Sequence, residues 1–196
     1  SILLERLDPV SKHTNVTTPL VAGVSPVIAW AVESFPTVYT WHEDSRLQCL
    51  NVETAQVQRF KCRLSSIGVR KLAVRGNLCV GVASDAVVVW DLAFLQFDPV
   101  VLSSPEPLGN VVGIHWTGGH PTRVVVCASN IFQVWKLQGG GLLELNVSCN
   151  DGGAFMAFAI SPSGHELAAA TSLAQIHVYN LREAAARSGD HSPRYA

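Results

Sequence analysis

One short pattern, an apolar run that ends in an aromatic residue followed by a polar one, recurs along this chain at nearly constant spacing. Its clearest copy is the stretch 85–92, which closes on Trp90 and Asp91. The residues that mark the four copies are Leu50, Trp90, Trp135 and Tyr179. They are 40, 45 and 44 residues apart. Such self-similarity indicates a tandem array of one structural unit, in which each unit buries its apolar face against its neighbours.

The composition supports sheet units around an apolar core. Hydrophobic residues make up 48% of the 196 residues and charged residues only 15%, a balance that excludes an intrinsically disordered chain. The apolar runs are rich in valine, which favours strands over helices. No apolar run approaches the roughly 18 residues that a membrane-spanning helix requires, so we predict a protein that is not transmembrane. The five cysteines lack metal-type spacing, which is typical of reduced core residues in an intracellular protein.

Alternating apolar segments and turn residues predict a set of strands within each repeat. We place the four units at residues 21–64, 67–103, 110–149 and 154–183. No segment of the fourth unit suits an outermost strand, so we predict three strands there and four in each of the others. Residues 1–20 form an N-terminal extension, and residues 184–196 are interpreted as a tail or linker because their composition turns polar.

These repeats resemble those of the WD-repeat family. The features that carry the resemblance are the spacing, the Trp90-Asp91 pair, its variants Trp135-Lys136 and Tyr179-Asn180, and the turn Ser161-Pro162-Ser163-Gly164. The resemblance covers about residues 21–183. It implies an all-β fold, a WD-repeat-type β-propeller with about four four-stranded blades present. It also implies a structural role for the repeat residues Leu50, Trp90, Asp91, Trp135 and Tyr179.

One feature of that family, a Gly-His dipeptide before the inner strand of each blade, is missing from this sequence. In the family the histidine belongs to a buried hydrogen-bond network with a turn aspartate and the tryptophan, so we expect that network to be absent. Asp44, Asp85 and Asn130 occupy the place of the turn aspartate, and such residues tighten turns through their own backbone bonds. We therefore expect blades that form but are less uniform than usual.

The number of units raises the question of what covers the two ends of the array. Propellers close with four to eight blades, and the family commonly uses seven. Four blades of this kind would leave apolar faces in water. Three arrangements stay open: further blades outside this sequence complete the ring, a partner supplies them, or the chain forms an open arc. We prefer the first.

The candidate chemical sites are few. The seven histidines are scattered without the spacing that zinc requires, and His115 and His120, which flank a turn, are best interpreted as solvated loop residues. No nucleophile elbow, phosphate-binding glycine loop or Cys-His arrangement with an orienting carboxylate occurs. We accordingly predict no catalytic residues, no metal, no cofactor and no enzymatic activity.

Residues 59–75 contain a higher density of basic residues than the rest of the chain. This basic cluster consists of Arg59, Lys61, Arg63, Arg70, Lys71 and Arg75, six of the fourteen basic residues of a chain whose formal net charge is −1. It is a candidate docking patch for an anionic partner, either RNA or a phosphoinositide headgroup. The alternative is a solvated edge whose charges discourage edge-to-edge sheet pairing.

A propeller presents many loops on a rigid disc, and we therefore expect a non-catalytic scaffold subunit of a multiprotein complex whose partners are other proteins. The candidate rim loops, between the second and third strands, contain His42, Glu43, Asp44, Asp85 and Asn130. We expect an intracellular location, cytoplasmic or nuclear. The segments 61–64, 72–74 and 80–83 are faintly similar to WD-repeat nucleoporins, which implies a nuclear-pore-like role at the nuclear envelope.

Overall fold

The computed structural model describes residues 4–6, 14–16, 27–32, 36–43, 46–60, 68–94, 98–118, 122–137, 141–149, 152–181 and 194–195. Their strands form one two-stranded hairpin and four four-stranded antiparallel sheets, which confirms the predicted all-β architecture. The hairpin lies in the N-terminal extension and pairs β1 (Leu4–Arg6) with β2 (Thr14–Val16).

Each of the four sheets, called blades below, contains four consecutive strands of the chain. The first contains β3 (Val27–Val32), β4 (Thr37–His42), β5 (Leu47–Asn51) and β6 (Val57–Phe60). The second contains β7 (Lys71–Arg75), β8 (Leu78–Val82), β9 (Ala86–Asp91) and β10 (Val100–Ser103). The third contains β11 (Val111–Trp116), β12 (Arg123–Ala128), β13 (Ile131–Lys136) and β14 (Leu142–Ser148). The fourth contains β15 (Phe155–Ile160), β16 (Glu166–Thr171), β17 (Ile176–Asn180) and β18 (Arg194–Tyr195).

The fourth blade differs from the sequence-based expectation, because it has the outermost strand that we did not predict. The two residues of β18 pair with β17, Tyr195 opposite His177 and Arg194 opposite Val178. A strand of two polar or amphipathic residues has no alternating apolar run, so nothing in the hydrophobic periodicity marks it.

Within each blade the strands follow one another as neighbours, and the first strands of successive blades pack side by side: β3 on β7, β7 on β11, and β11 on β15. These first strands are therefore the inner strands of a radial arrangement. The repeat also shows in one recurring hydrogen bond, from the residue that follows the third strand to the turn that follows the first. It joins Leu92 to Asn77, Leu137 to Thr122 and Leu181 to His165, with N···O distances of 2.6, 2.7 and 2.7 Å.

The blades stack face to face, with one apolar layer between each successive pair. Aromatic side chains fill these layers. Trp41 of the first blade meets Trp90 of the second, with ring centroids 5.4 Å apart. Phe132 of the third blade meets Tyr179 of the fourth at 4.7 Å. This packing confirms that the chain is a tandem array of one unit.

Strand β12 shows how the alternation of side chains produces two layers from one sheet. Val124 and Val126 pack in the layer toward the second blade, whereas Val125 and Cys127 pack in the layer toward the fourth. All four side chains are completely buried. A strand buried on both faces reads as a continuous apolar run, which explains the Val-Val-Val-Cys sequence.

The described parts of the first and fourth blades form no packed layer with each other. Large apolar side chains remain exposed at both ends of the stack: Trp30 and Val32 of the first blade at 56% and 44%, and Ile176 of the fourth at 59%. Over the described residues the four blades therefore form an open arc.

Candidate functional site

The turns between the second and third strands lie at one end of the stack and form a common rim. This follows from the shared strand order and direction of the blades. Two of these turns are closed by a short backbone hydrogen bond: Ala83 N donates to Ala86 O at 2.9 Å, and Thr171 N donates to Gln175 O at 2.9 Å. The rim is thus anchored directly on buried strands.

The predicted rim residues differ in how much they present to solvent. Glu43, Asp85 and Asn130 are exposed, whereas His42 is only 4% exposed. The His42 Nε2 atom lies 3.0 Å from Thr40 Oγ1, so this imidazole belongs to the sheet rather than to the open rim. Asp44 lies outside the described residues.

The Asn130 side chain fastens the third blade's turn to the segment that enters that blade. Its Oδ1 accepts a hydrogen bond from Gly109 N at 2.8 Å, and its Nδ2 donates to Pro107 O at 3.0 Å. A Cβ on Gly109 would lie 2.8 Å from Asn130 Oδ1, so a larger residue there would displace the Asn130 amide. The Asn130 side chain thus binds the segment that enters the blade, which differs from the local role within the turn that the sequence predicted.

Two serines make the same contact in successive blades. Ser129 Oγ accepts from Asn110 N at 3.2 Å, and Ser172 Oγ accepts from Ala154 N at 3.0 Å. In addition, the carbonyl of Ser129 accepts from Phe155 N of the following blade at 2.8 Å. The carbonyl of Ser84 likewise accepts from Leu108 N at 2.7 Å. The turns of the second and third blades are therefore braced by the chain that enters the next blade.

A buried polar network occupies the third blade. Trp135 Nε1 donates to Gln133 Oε1 at 3.0 Å. Gln133 Nε2 in turn donates to Ser104 Oγ at 2.7 Å and to Asn146 Oδ1 at 3.0 Å. Ser104 follows the outermost strand of the second blade, so the network joins two blades. It takes the place of the histidine network that is missing from this sequence, and a glutamine two residues before the aromatic residue is the signal that could have revealed it.

The described members of the basic cluster lie at two separate places in the blades. Arg59 is exposed on β6, the outermost strand of the first blade. Lys71 is exposed on β7, the innermost strand of the second, and Arg75 is half-buried at its end. Three strand spacings of about 4.8 Å each separate the innermost and outermost positions of a blade. Lys61 and Arg63 lie outside the described residues.

Two arginines of this cluster bind backbone carbonyls of the third blade. Arg75 Nη1 donates to Thr117 O at 2.9 Å, and Arg70 Nη1 donates to Gly109 O at 3.4 Å. Among the described residues, no carboxylate forms an ion pair with Arg70, Lys71 or Arg75. The hydrogen bonds of Arg70 and Arg75 are structural, and no carboxylate in the described part of the chain pairs with either guanidinium.

The described residues contain no group of three or more histidine, cysteine, aspartate or glutamate side chains that could hold a metal ion. His115 is exposed on the inner strand β11, where its ring packs edge-on against Phe158 of the fourth blade, with centroids 5.1 Å apart. His120 lies outside the described residues. Over the same described part of the chain, no helix is long and apolar enough to cross a membrane.

Comparison with solved structures identifies the fold. The chain is similar to the β-propeller domain of Cps50 (Swd1) from Myceliophteria thermophila, with a TM-score of 0.63 and 14% sequence identity over 86% of this chain. It spans only 55% of that domain. No protein-family model and no curated protein matches the chain. At this identity the likeness concerns the fold alone: the four sheets are blades of a partial β-propeller.

Proposed function

We propose that this chain is part of a non-catalytic scaffold subunit that binds other proteins within a multiprotein complex. The observation that carries the proposal is the rim, a set of turns that Asn130, Ser129 and Ser172 fasten to the segments entering their own blades. Because those polar groups are used to hold backbone, the rim offers a fixed shape. A rigid surface binds a partner at lower entropic cost than mobile loops do.

The exposed side chains of the rim supply the chemistry of recognition. Ser84, Asp85 and Asn130 are exposed at neighbouring turns, and Leu173 is 51% exposed at the next one. Acidic and amide groups beside an exposed leucine suit a protein surface with a small apolar centre and a polar margin.

Binding measurements on charge-reversed variants test this role. The variant Asp85→Lys, alone and combined with Glu43→Lys, is compared with Glu53→Lys, an exposed position in the turn at the opposite end of the first blade. Quantitative affinity purification is expected to show the same set of proteins lost by both rim variants and retained by Glu53→Lys. If the rim variants retain every partner of the unmodified chain, the proposal fails.

A more specific version of the proposal places the protein in a nuclear-pore-like complex at the nuclear envelope. Its support is the faint similarity of segments 61–64, 72–74 and 80–83 to the nucleoporin aladin, a WD-repeat propeller. Imaging of the tagged protein tests it, since a punctate nuclear rim is expected and a diffuse cytoplasmic signal would contradict it.

A second candidate function, binding of an anionic partner such as RNA or a phosphoinositide, is favoured by Arg70, Lys71 and Arg75, which pair with no carboxylate in the described part of the chain. The inner-strand variant Lys71→Ala and the outer-strand variant Arg59→Ala separate the two parts of the cluster. Polyanion binding that weakens with salt and is reduced by Lys71→Ala would support an inner-strand site. Affinity unchanged in both variants would remove this candidate.

A further inference from the structure

The outward face of the fourth blade is apolar and open. It is formed by the side chains of β15, β16 and β17 that point away from the third blade: Met156, Ala157, Ala168, Ala170, Ile176 and Val178. Met156 and Ile176 are 62% and 59% exposed, Ala157 is exposed, and the other three are half-buried. At one end of the same face Glu166 pairs with Asn180 and both are exposed, so this apolar set is bordered by one charged residue of β16.

The strand register shows that this face is equivalent to two faces that are already covered. Ala168 pairs with Val178 in the fourth blade as Val125 pairs with Val134 in the third. The corresponding pair in the second blade is Val80 and Val89.

Both equivalent pairs are covered by the blade that follows them. Val80 and Val89 lie in the layer against the third blade, and Val125 and Val134 lie in the layer against the fourth. Val80, Val125 and Val134 are 0% exposed and Val89 is 9% exposed.

A shift in the strand register near the start of the inner strand occurs in both the third and the fourth blade. Val112 lies at the register shift of β11, and Met156 lies at the register shift of β15. Val112 packs in the layer against the fourth blade. Met156, at the equivalent place, is the sole methionine of the chain and is exposed.

We propose that the outward face of the fourth blade is the docking surface for a further propeller blade that lies outside these 196 residues. Two observations support this occupant. The face would continue the series of three apolar layers between successive blades. In addition, this chain covers only 55% of the similar propeller domain. The alanines at 157, 168 and 170 make the face shallow. The incoming blade therefore presents bulky apolar side chains from its first two strands, as the fourth blade presents Phe155, Phe158 and Leu167 to the third.

A second copy of this chain does not fit as the occupant. Only the first blade's outer face could continue the same stacking, and there Trp30 and Val32 are exposed on the inner strand. On the next two strands of that face, Val38, Gln48 and Leu50 are already 5%, 2% and 3% exposed. A face buried over its second and third strands cannot also cover β16 and β17 of another copy.

Hydroxyl-radical footprinting tests the proposal on two preparations: the 196-residue chain alone, and the native protein isolated from its source without denaturation. The matched control is Leu142, which is 60% exposed on the outermost strand of the third blade. In the native protein, labelling of Met156 and Ile176 is expected to fall about tenfold, in proportion to the loss of accessible surface, while Leu142 is labelled equally in both.

Two results would overturn the proposal. Equal labelling of Met156 and Ile176 in both preparations would show that the face is open in the native protein. Protection already present in the isolated chain, together with a dimer in sedimentation analysis, would identify a second copy as the occupant.

The identity of the occupant is read from a photo-crosslinker placed at Ile176 in the native protein. The expected crosslink lies in a segment with the repeat pattern found here, an apolar strand that ends in an aromatic residue. A crosslink into a helix or into a segment without such a repeat would contradict a blade as the occupant.

Discussion

The indole of Trp90 lies directly over Gly81, its neighbour on the adjacent strand. A Cβ on Gly81 would be 2.8 Å from Cζ3 of the indole and 2.9 Å from Cγ1 of Val69. The ring is 4% exposed and packs in the layer between the first and second blades. The absence of a side chain at position 81 is thus what allows the repeat tryptophan to lie flat against its own sheet.

Replacing this glycine tests the role of Trp90. Gly81→Ala is expected to destabilise the fold by about 1–3 kcal/mol, because an added methyl group in a close-packed layer forces neighbouring side chains or backbone to move. Urea denaturation measures the loss. Gly68→Ala is the matched control, since a Cβ there meets no atom within 4 Å, and its midpoint should stay close to that of the unmodified chain.

Two equivalent glutamines should respond in opposite ways to the same substitution. Gln133→Leu removes the partner of Trp135 Nε1 and Ser104 Oγ, so a loss of about 2–3 kcal/mol is expected from the unsatisfied groups. Gln48 occupies the same position in the first blade, is 2% exposed, and its Nε2 atom has no hydrogen-bond partner among the described residues. Gln48→Leu should therefore be neutral or stabilising in the same denaturation experiment. Equal destabilisation by both variants would contradict this interpretation.

The repeat itself could be predicted from the sequence, because the residues that mark it stand at equivalent positions of equivalent strands. Trp90 and Trp135 lie near the ends of strands that are buried on both faces, and such strands are continuous apolar runs. Tyr179 lies at the equivalent place in the fourth blade, so the three aromatic residues recur at a nearly fixed interval. Strand β18 and the network of Gln133 could not be predicted in this way. The first has no apolar pattern, and the second joins residues from three different segments of the chain.

The basic cluster shows why proximity in sequence is a poor guide to a site in this fold. Arg59 and Lys71 are 12 residues apart, but the chain between them passes from the outermost strand of one blade to the innermost strand of the next. His42 shows the reverse problem. Its position beside a polar turn predicted a rim residue, whereas the buried Thr40 hydroxyl holds it within the sheet.

Arg123 forms an ion pair within the third blade and also a hydrogen bond to the end of the fourth. Arg123 Nε lies 2.5 Å from Glu144 Oε2, and Arg123 Nη2 donates to Leu181 O at 3.1 Å. Arg123→Met is expected to destabilise the fold by about 1–3 kcal/mol, because it leaves the half-buried Glu144 carboxylate and the Leu181 carbonyl without their partner. The exposed cross-strand neighbour Lys136 supplies the control, and Lys136→Met should change stability little.

A double variant separates the ion pair from the packing of the two side chains. Arg123→Met with Glu144→Leu should be less destabilised than Arg123→Met alone, since the unpaired charge is removed. Chemical denaturation of the single and double variants measures the difference. A double variant that is less stable than Arg123→Met would show that packing, rather than the charge, dominates at this contact.

The stability of the fold should fall in alkaline solution because of Cys127. Burial, together with the nearby Cys149, raises the pKa of the Cys127 thiol from its ordinary 9.0 to about 12. The unfolded chain therefore loses this proton at a lower pH than the folded chain does. The stabilisation is complete below pH 9 and declines as the pH rises toward 12, because over that interval the folded state binds more protons than the unfolded state.

The variant Cys127→Val isolates this effect from the other cysteines, which remain in both proteins. Valine suits the site because Val82, at the equivalent position of the second blade, is also 0% exposed. Unfolding free energies measured from pH 7 to pH 10.5 should fall more steeply for the unmodified chain than for Cys127→Val. Parallel curves would mean that the thiol ionises alike in both states, and that the layer between the third and fourth blades admits water at Cys127.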